Sequence, residues 1–438
     1  MKYGAGGNGM HNSKKTLQQK LHSRKIKQPP KAVYYTLGYL WRLLYFKKLG
    51  LQVDIRDDPR KCKGPYIIVS NHASRLDYIY TGIVLLPDTL NFVAGYNEFF
   101  RSHLATVFRL LQIIPKKNFT PDVYTIKEIA RIIRGGGRVI LFPEGMSSIG
   151  GGNQPSAIGS GKLLKHFGVP VYVSRISGGY LTSTKYCLDE RPGRVEVVID
   201  KLFTPERLAE LSADEIQAQL DKAIQNDDYE WNKTANAAYD GHGRIAHKLH
   251  TLLYRCPRCG KELTMRGEGD TIACAACGNG ARIDSAYRLV PLDETCVIPD
   301  TPRRWFDEER KAVYRELLDP SFRLTEDVTL GVLPTDRYLK HQATSVPAGT
   351  GKITLDHGGF TYDGTKDEKP FSFHLEPRLL PTYGMCTDVS RFYTFYEGEF
   401  YEFYPRSECV AKWLLATEEL HRLHGGEWRN FPYADTYA

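Results

Sequence analysis

The sequence predicts an α/β unit with a mixed sheet covered by helices, then a small cysteine-knit module, then a β-rich unit closed by a helix. Three observations predict it. Short β-branched runs alternate with helix-like stretches from residue 51 to about 200, as strands and helices do when both faces of a sheet are covered. Four cysteines follow in two close pairs at 256–277. Beyond residue 300, aromatic strands separated by turns end in one long amphipathic stretch. A chain of 438 residues exceeds what one hydrophobic core organises, which accords with several units. With 42% hydrophobic and 25% charged residues it is ordinary globular material and not a largely disordered chain.

The element order begins with a basic, glycine-rich stretch over residues 1–30, read as a flexible arm. It carries Lys2, Lys14, Lys15, Lys20, Arg24, Lys25 and Lys27 and no acid. The whole chain has only a modest net charge of +8, so an acidic partner is expected to meet this arm. Residues 31–50, KAVYYTLGYLWRLLYFKKLG, are also acid-free. Their apolar stretch is too short to cross a hydrocarbon layer about 30 Å thick, and their flanking lysines, Trp41 and tyrosines suit a helix lying in a membrane interface. Strands are expected at 65–70, 91–96, 112–115, 138–142, 170–176 and 194–199, and helices around 78–86, 100–111, 122–134 and 159–167. Ser212 and Glu215 form a capping box for an amphipathic helix over 212–224.

Chemistry is carried first by Ser70-Asn71-His72-Ala73-Ser74-Arg75-Leu76-Asp77, directly after the 65–70 strand. A neutral imidazole can take a hydroxyl proton, and a carboxylate on its other nitrogen sets the tautomer. On one continuous helix, His72 and Asp77 would point about 140° apart. The pair therefore works only with His72 in a strand-to-helix loop and Asp77 in the first helical turn. A purely structural alternative has Asp77 completing a capping box with Ser74. The second motif, Phe142-Pro143-Glu144-Gly145, is a sharp turn after the 138–142 strand and offers a carboxylate beside a backbone that a substrate can approach. Lys116 and Lys117 follow the 112–115 strand, where they can hold a phosphate. All these groups lie just beyond carboxyl ends of strands, the edge at which open α/β sheets bind ligands.

In this order, N-H-x-S-x-x-D, the lysine pair, F-P-E-G and Val169-Pro170-Val171, the chain resembles the glycerolipid acyltransferase family, which includes 1-acyl-glycerol-3-phosphate (lysophosphatidate) acyltransferases. The resemblance covers roughly residues 60–230. It implies that His72 is the general base, that Asp77 is its partner, and that Glu144 and Gly145 help hold the acceptor. It also implies an interfacial N-terminal helix. The chain departs from the family pattern at Lys116-Lys117-Asn118, where an arginine is usual, and at Met146-Ser147-Ser148, where Thr-Arg-Ser is frequent. Lysine holds phosphate as a point charge and lacks the bidentate fork of arginine. Lys162 or Arg175 is the expected substitute. A serine-hydrolase elbow is disfavoured because Gly145-Met146-Ser147-Ser148-Ile149 lacks the final glycine. A phosphate loop ending at Gly161-Lys162 would need glycine at Ser156 and Ser or Thr at Leu163.

Cys256-x2-Cys259 and Cys274-x2-Cys277, each pair followed by glycine, supply four thiolates for tetrahedral Zn²⁺. A four-thiolate site has no open position, so this zinc is expected to be structural, and no catalytic cofactor is expected. The module resembles a zinc ribbon. Residues 251–285 have balanced charge and no basic-aromatic stripe, so no nucleic-acid partner is expected. The reading is a peripheral enzyme at the cytoplasmic face of a membrane. Its arm and helix meet anionic lipid, and it moves an acyl group from acyl-coenzyme A or acyl-carrier protein to 1-acyl-glycerol-3-phosphate. Glycerol 3-phosphate and other lysolipids are alternative acceptors. A non-catalytic zinc and membrane adaptor with a vestigial domain is the alternative outside enzymology. The expected units are 1–30, 31–250 (the acyl-transfer unit with its interfacial helix), 251–290 (the zinc ribbon) and 300–438. The last, strands followed by a helix containing Trp413, is similar to a pleckstrin-homology-like barrel.

Overall fold

The computed structural model describes residues 15–340 and 343–430. Two helices lead in, α1 (Leu17–His22) and α2 (Lys31–Lys48). The α/β unit continues with β1 (Leu51–Ile55), β2 (Ile67–Ser70), α3 (Asp77–Val84), β3 (Val93–Gly95), α4 (Ser102–Leu110), β4 (Ile114–Lys116) and α5 (Val123–Arg134). It ends with β5 (Val139–Leu141), α6 (Ser160–Phe167), β6 (Val171–Ser177), α7 (Gly179–Thr182), β7 (Val195–Phe203), α8 (Pro205–Glu210), α9 (Ala213–Ile224) and α10 (Asp228–Ala235).

The main sheet is mixed, with strand order β1-β7-β6-β2-β5. Only β6 and β7 run antiparallel. The parallel pair β3–β4 meets the β5 edge through Asn91, whose N–H donates to Arg138 O at 2.8 Å and whose carbonyl accepts from Ile140 N at 3.0 Å. Strand β2 is apolar throughout because both of its faces are covered. Ile67 and Val69 pack with Ile129 and Ile132 of α5 and Ile216 and Leu220 of α9. Ile68 lies on the opposite face with Ile79 and Ile83 of α3. The capping box expected at Ser212 and Glu215 is present and starts α9.

The expected flexible arm is, from Lys15 on, an ordered strap. Thr16 and Gln19 form a capping box for α1, Leu17 N donates to Thr335 O at 2.9 Å, and Ile26 N donates to Glu128 Oε2 at 2.8 Å. Leu17, Leu21 and Ile26 are buried. These three apolar residues hold the strap down while its lysines face water, and a reading by charge alone passes over them. Lys2 and Lys14 lie outside the described residues. Helix α2 packs through Gly38, where a Cβ would come within 3.0 Å of Leu86, and through an edge-to-face contact of Trp41 with Tyr78.

The cysteine module is a four-stranded antiparallel sheet of β8 (Met265–Glu268), β9 (Thr271–Cys274), β10 (Gly280–Ile283) and β11 (Leu289–Pro291). Helix α11 (Pro302–Leu317) leads into a meander of β12 (Arg323–Val332), β13 (Val346–Asp356), β14 (Gly359–Lys366) and β15 (Lys369–Leu375). A second meander follows, β16 (Gly384–Met385), β17 (Phe392–Tyr396) and β18 (Glu399–Pro405), and α12 (Val410–Leu423) closes the unit. Strand β12 pairs with β18, joining both meanders into one seven-stranded sheet. The run at 351–364 falls in the β13–β14 hairpin, which turns at His357-Gly358.

One continuous core runs through the cysteine module, the C-terminal unit and residues such as Tyr180 and Tyr229 of the α/β unit. Polar contacts reinforce it. Trp305 Nε1 donates to Arg255 O at 2.9 Å, and Lys412 bridges Glu262 at 2.7 Å and Glu316 at 2.9 Å. Between α11 and α12, Arg310 meets Glu418 at 2.5 Å and Glu419 at 3.1 Å, with all three side chains almost fully buried. Removing one partner of such a pair leaves uncompensated buried charge, at a cost of about 3–5 kcal/mol. Arg310→Met is expected to destabilise the C-terminal unit by that amount, read by urea denaturation followed through tryptophan fluorescence.

Candidate active site

Strands β2 and β5 are parallel neighbours in the register Ile67↔Val139, so the loops that leave them emerge side by side. The first loop is fixed by Asn71. Its side-chain oxygen accepts from Ile176 N at 2.8 Å and its amide donates to Ile176 O at 2.8 Å, extending the pairing with β6 by one rung. His72 follows in the loop, and Asp77 is the first residue of α3. His72 Nδ1 and Asp77 Oδ2 are 2.8 Å apart. Asp77 is fully buried and also accepts from Ser74 N and Ser74 Oγ. Burial pushes its pKa up, against the pull of His72 and Ser74. The acid thus serves at once as a partner of the histidine and as a brace for the helix start. The capping box of the structural alternative is not formed: the N-cap is Leu76, Asp77 N donates to Ser74 O, and Ser74 Oγ accepts from Leu76 N.

Glu144, in the loop after β5, lies behind this pair. Its Oε1 accepts from His72 N at 2.8 Å and from Asn153 Nδ2 at 3.2 Å, and its Oε2 accepts from Gln154 N at 2.6 Å. Burial pushes its pKa up to about 7, opposed by the N–H groups of Gln154 and His72. Gly145 turns the chain at φ +72°, and a Cβ there would meet only ordinary contacts with Phe119. Backbone conformation, not crowding, selects the glycine. Ser148 N donates to His72 O at 2.7 Å, tying the two loops once more, and the Phe142 ring lies 4.6 Å from the imidazole.

These loops open on a cavity of about 1520 Å³, above the roughly 300–1,000 Å³ usual for small-molecule sites. One wall is apolar and comes from α2, α3 and α4, with Leu37, Trp41, Ile79, Ile83, Val107 and Phe108. The other wall belongs to the C-terminal unit, with Met385, Cys386, Arg391, Tyr393 and Tyr404. The C-terminal wall had no signal in the sequence, because only the fold brings it to the β2 and β5 loops.

The lysines divide. Lys116 lines the cavity, and burial lowers its pKa, with Asp122 opposing. Lys117 turns away. Its ammonium donates to Gly398 O and lies over the rings of Tyr96 and Phe395, so it belongs to the joint with the C-terminal unit. Lys162, on α6, is exposed and outside the cavity lining. Arg175, half-buried on β6, is also outside it. In their place the cavity contains Lys185, Arg75 and Arg101. Burial pushes the Lys185 pKa down to about 8. A lone lysine in Thr184-Lys185-Tyr186 carries no motif, so it could not be picked out beforehand.

The four cysteines converge. The Sγ atoms of Cys256, Cys259, Cys274 and Cys277 all lie within 4.8 Å of one another, with Cys256–Cys277 at 3.6 Å and Cys259–Cys274 at 3.8 Å. A tetrahedron of thiolates about 2.3 Å from zinc has S–S edges of about 3.8 Å. The donor set fits a structural metal.

This geometry can be set beside known proteins. The family model for acyltransferases matches residues 51–177. Among solved structures, the chain is similar to the 1-acyl-sn-glycerophosphate (LPA) acyltransferase PlsC from Thermotoga maritima. Identity is 21%, over 47% of this chain and 82% of that one, with a TM-score of 0.39. No curated protein matches the chain.

Zinc bound by four thiolates supplies folding free energy to a small module. The purified protein is expected to carry about one zinc per chain. A strong chelator is expected to lower its melting temperature, and zinc alone to restore it. Metal analysis and thermal melting check both outcomes.

Proposed function

We propose that this protein transfers a fatty acyl group from a thioester, acyl-coenzyme A or acyl-carrier protein, to the free hydroxyl of a lysophospholipid, with 1-acyl-glycerol-3-phosphate as the favoured acceptor. The observation that carries the proposal is the His72–Asp77 pair at 2.8 Å on the rim of a large cavity with one apolar wall. With Nδ1–H donating to Asp77, Nε2 of His72 is left to take the acceptor hydroxyl proton. The alkoxide attacks the thioester carbonyl, and the tetrahedral intermediate collapses to the ester and a thiolate. The imidazolium, stabilised by Asp77, returns the proton to that thiolate. No protein nucleophile is needed.

The apolar wall suits a long acyl chain. Glu144, with both oxygens engaged by protein donors, is read as positioning the base, and Lys116 as one cationic contact for the acceptor. Peripheral membrane attachment is supported by the outward face of α2. Tyr39, Leu40, Leu43 and Leu44 are all exposed there, followed by Lys47 and Lys48, the pattern of a helix lying in an interface. Among the described residues no helix is long and apolar enough to cross a membrane. Four thiolates would close the coordination of zinc, which would supply stability and no chemistry.

A positioned general base contributes about 10²–10⁴-fold. His72→Ala is expected to lose that much kcat while melting like the parent. Turnover within a few-fold of the parent on a panel of 1-acyl-glycerol-3-phosphate, glycerol 3-phosphate and other lysolipids would remove His72 from the mechanism. Glu144→Gln places an amide where three N–H donors, from His72, Asn153 and Gln154, now meet a carboxylate. It is expected to lower kcat by up to about 10²-fold and to leave the acceptor KM unchanged, whereas a group that holds the acceptor would raise KM.

A further inference from the structure

Lys185 lies in the loop after α7, is 7% exposed, and lines the cavity. Among the described residues its ammonium has one hydrogen bond, to Ser147 Oγ at 3.4 Å. Among the described residues no carboxylate comes within ion-pair distance of it. A buried ammonium without a counter-charge is costly unless an anion completes it, and such groups cluster at functional sites.

The nearby acids are already engaged. Glu98 meets Arg101 at 2.9 Å, and Asp388 accepts from Ser390 N at 3.1 Å. The fully buried Glu402 accepts from Thr344 at 2.7 Å and Ser345 at 2.6 Å, and it stands 3.6 Å from Arg391 Nε. Arg391, oriented in this way, ends the β16–β17 turn and lines the same cavity. The two cations are joined through backbone. Asp388 N donates to Lys185 O at 2.7 Å, and Cys386 N donates to Arg391 O at 3.1 Å. Ser147, the partner of Lys185, precedes Ser148, which is bonded to His72 O.

We propose that Lys185 and Arg391, which line one cavity at the joint between two units, form the anion subsite that holds the acceptor's phosphate monoester, which makes the C-terminal sheet a wall of the acceptor site. The inference rests on the acyl-transfer reading above. It assigns the anion to the acceptor because a phosphate on a glycerol backbone sits a few bonds from the hydroxyl that His72 must reach. The phosphates of acyl-coenzyme A are separated from the thioester by the whole pantetheine arm.

The test uses the full-length protein and Lys185→Met, Lys185→Arg and Arg391→Met. Transfer from palmitoyl-coenzyme A is measured to 1-acyl-glycerol-3-phosphate and to monoacylglycerol, which lacks the phosphate, and glycerol 3-phosphate binding is measured directly by calorimetry. Lys185→Met is expected to raise KM for the phosphorylated acceptor at least about tenfold. KM for monoacylglycerol and for the donor should stay unchanged, and Lys185→Arg should recover most of the loss. Arg391→Met is expected to act in the same direction. An unchanged KM for the phosphorylated acceptor in folded Lys185→Met overturns the subsite while leaving the acyl-transfer reading intact. If the parent transfers to neither acceptor, the acyl-transfer reading fails, and glycerol 3-phosphate binding decides the subsite alone. A tenfold weaker Kd in Lys185→Met supports it, and equal binding, or none by the parent, refutes it. Should Lys185→Met not fold, Arg391→Met is read in its place by the same criteria.

Discussion

A single buried carboxylate ties together the loops on which the candidate site depends. Glu144 accepts from the backbone of His72 on one side and from Gln154 on the other, so the imidazole is held by main chain as well as by its contact with Asp77. The constraint works because β2 and β5 are adjacent and parallel, which delivers both loops to the same edge in the same direction. A carboxylate so deeply placed would be expensive alone, and its backbone donors hold it where ionisation remains possible near neutral pH. Asn71 does for β6 what Glu144 does for β5. Together they make the loop after β2 a fixed part of the sheet edge.

The cysteine module and the C-terminal unit form with the α/β unit a body that shares one core. The module's Tyr287 donates to Leu181 O at 2.7 Å and accepts from Arg191 at 3.0 Å, while Arg255 N donates to Glu309 of α11 at 2.8 Å. The module thus contacts both the α/β unit and the helix that leads into the β-rich unit.

Much of this was legible beforehand. Runs such as PYIIVS and RVILF announced strands buried on both faces, and the loops that followed them carried the chemistry. The spacing of His72 and Asp77 demanded a loop-to-helix boundary between them, and α3 begins at Asp77. The two cysteine pairs converged as their spacing required. Illegible were the elements that exist only through tertiary partners. Strand β1 is short and carries Asp54, and parallel pairing with β7 makes it a strand. Lys185 gains meaning from burial alone, and the strap at 15–30 looked like solvated charge because its three apolar anchors are widely spaced. Lys117 was misplaced because adjacent lysines after a strand point to opposite sides.

The backbone N–H of Met385 donates to the sulfur of Met146 at 3.4 Å, across 239 residues of chain. Contacts of such sequence separation form late, since the loop-closure entropy must be met before they contribute. During synthesis, the edge bearing the histidine is therefore complete long before its second wall has left the ribosome. The nascent chain passes through a stage in which that edge faces an open mouth, and the cavity gains its second wall only when the final strands dock.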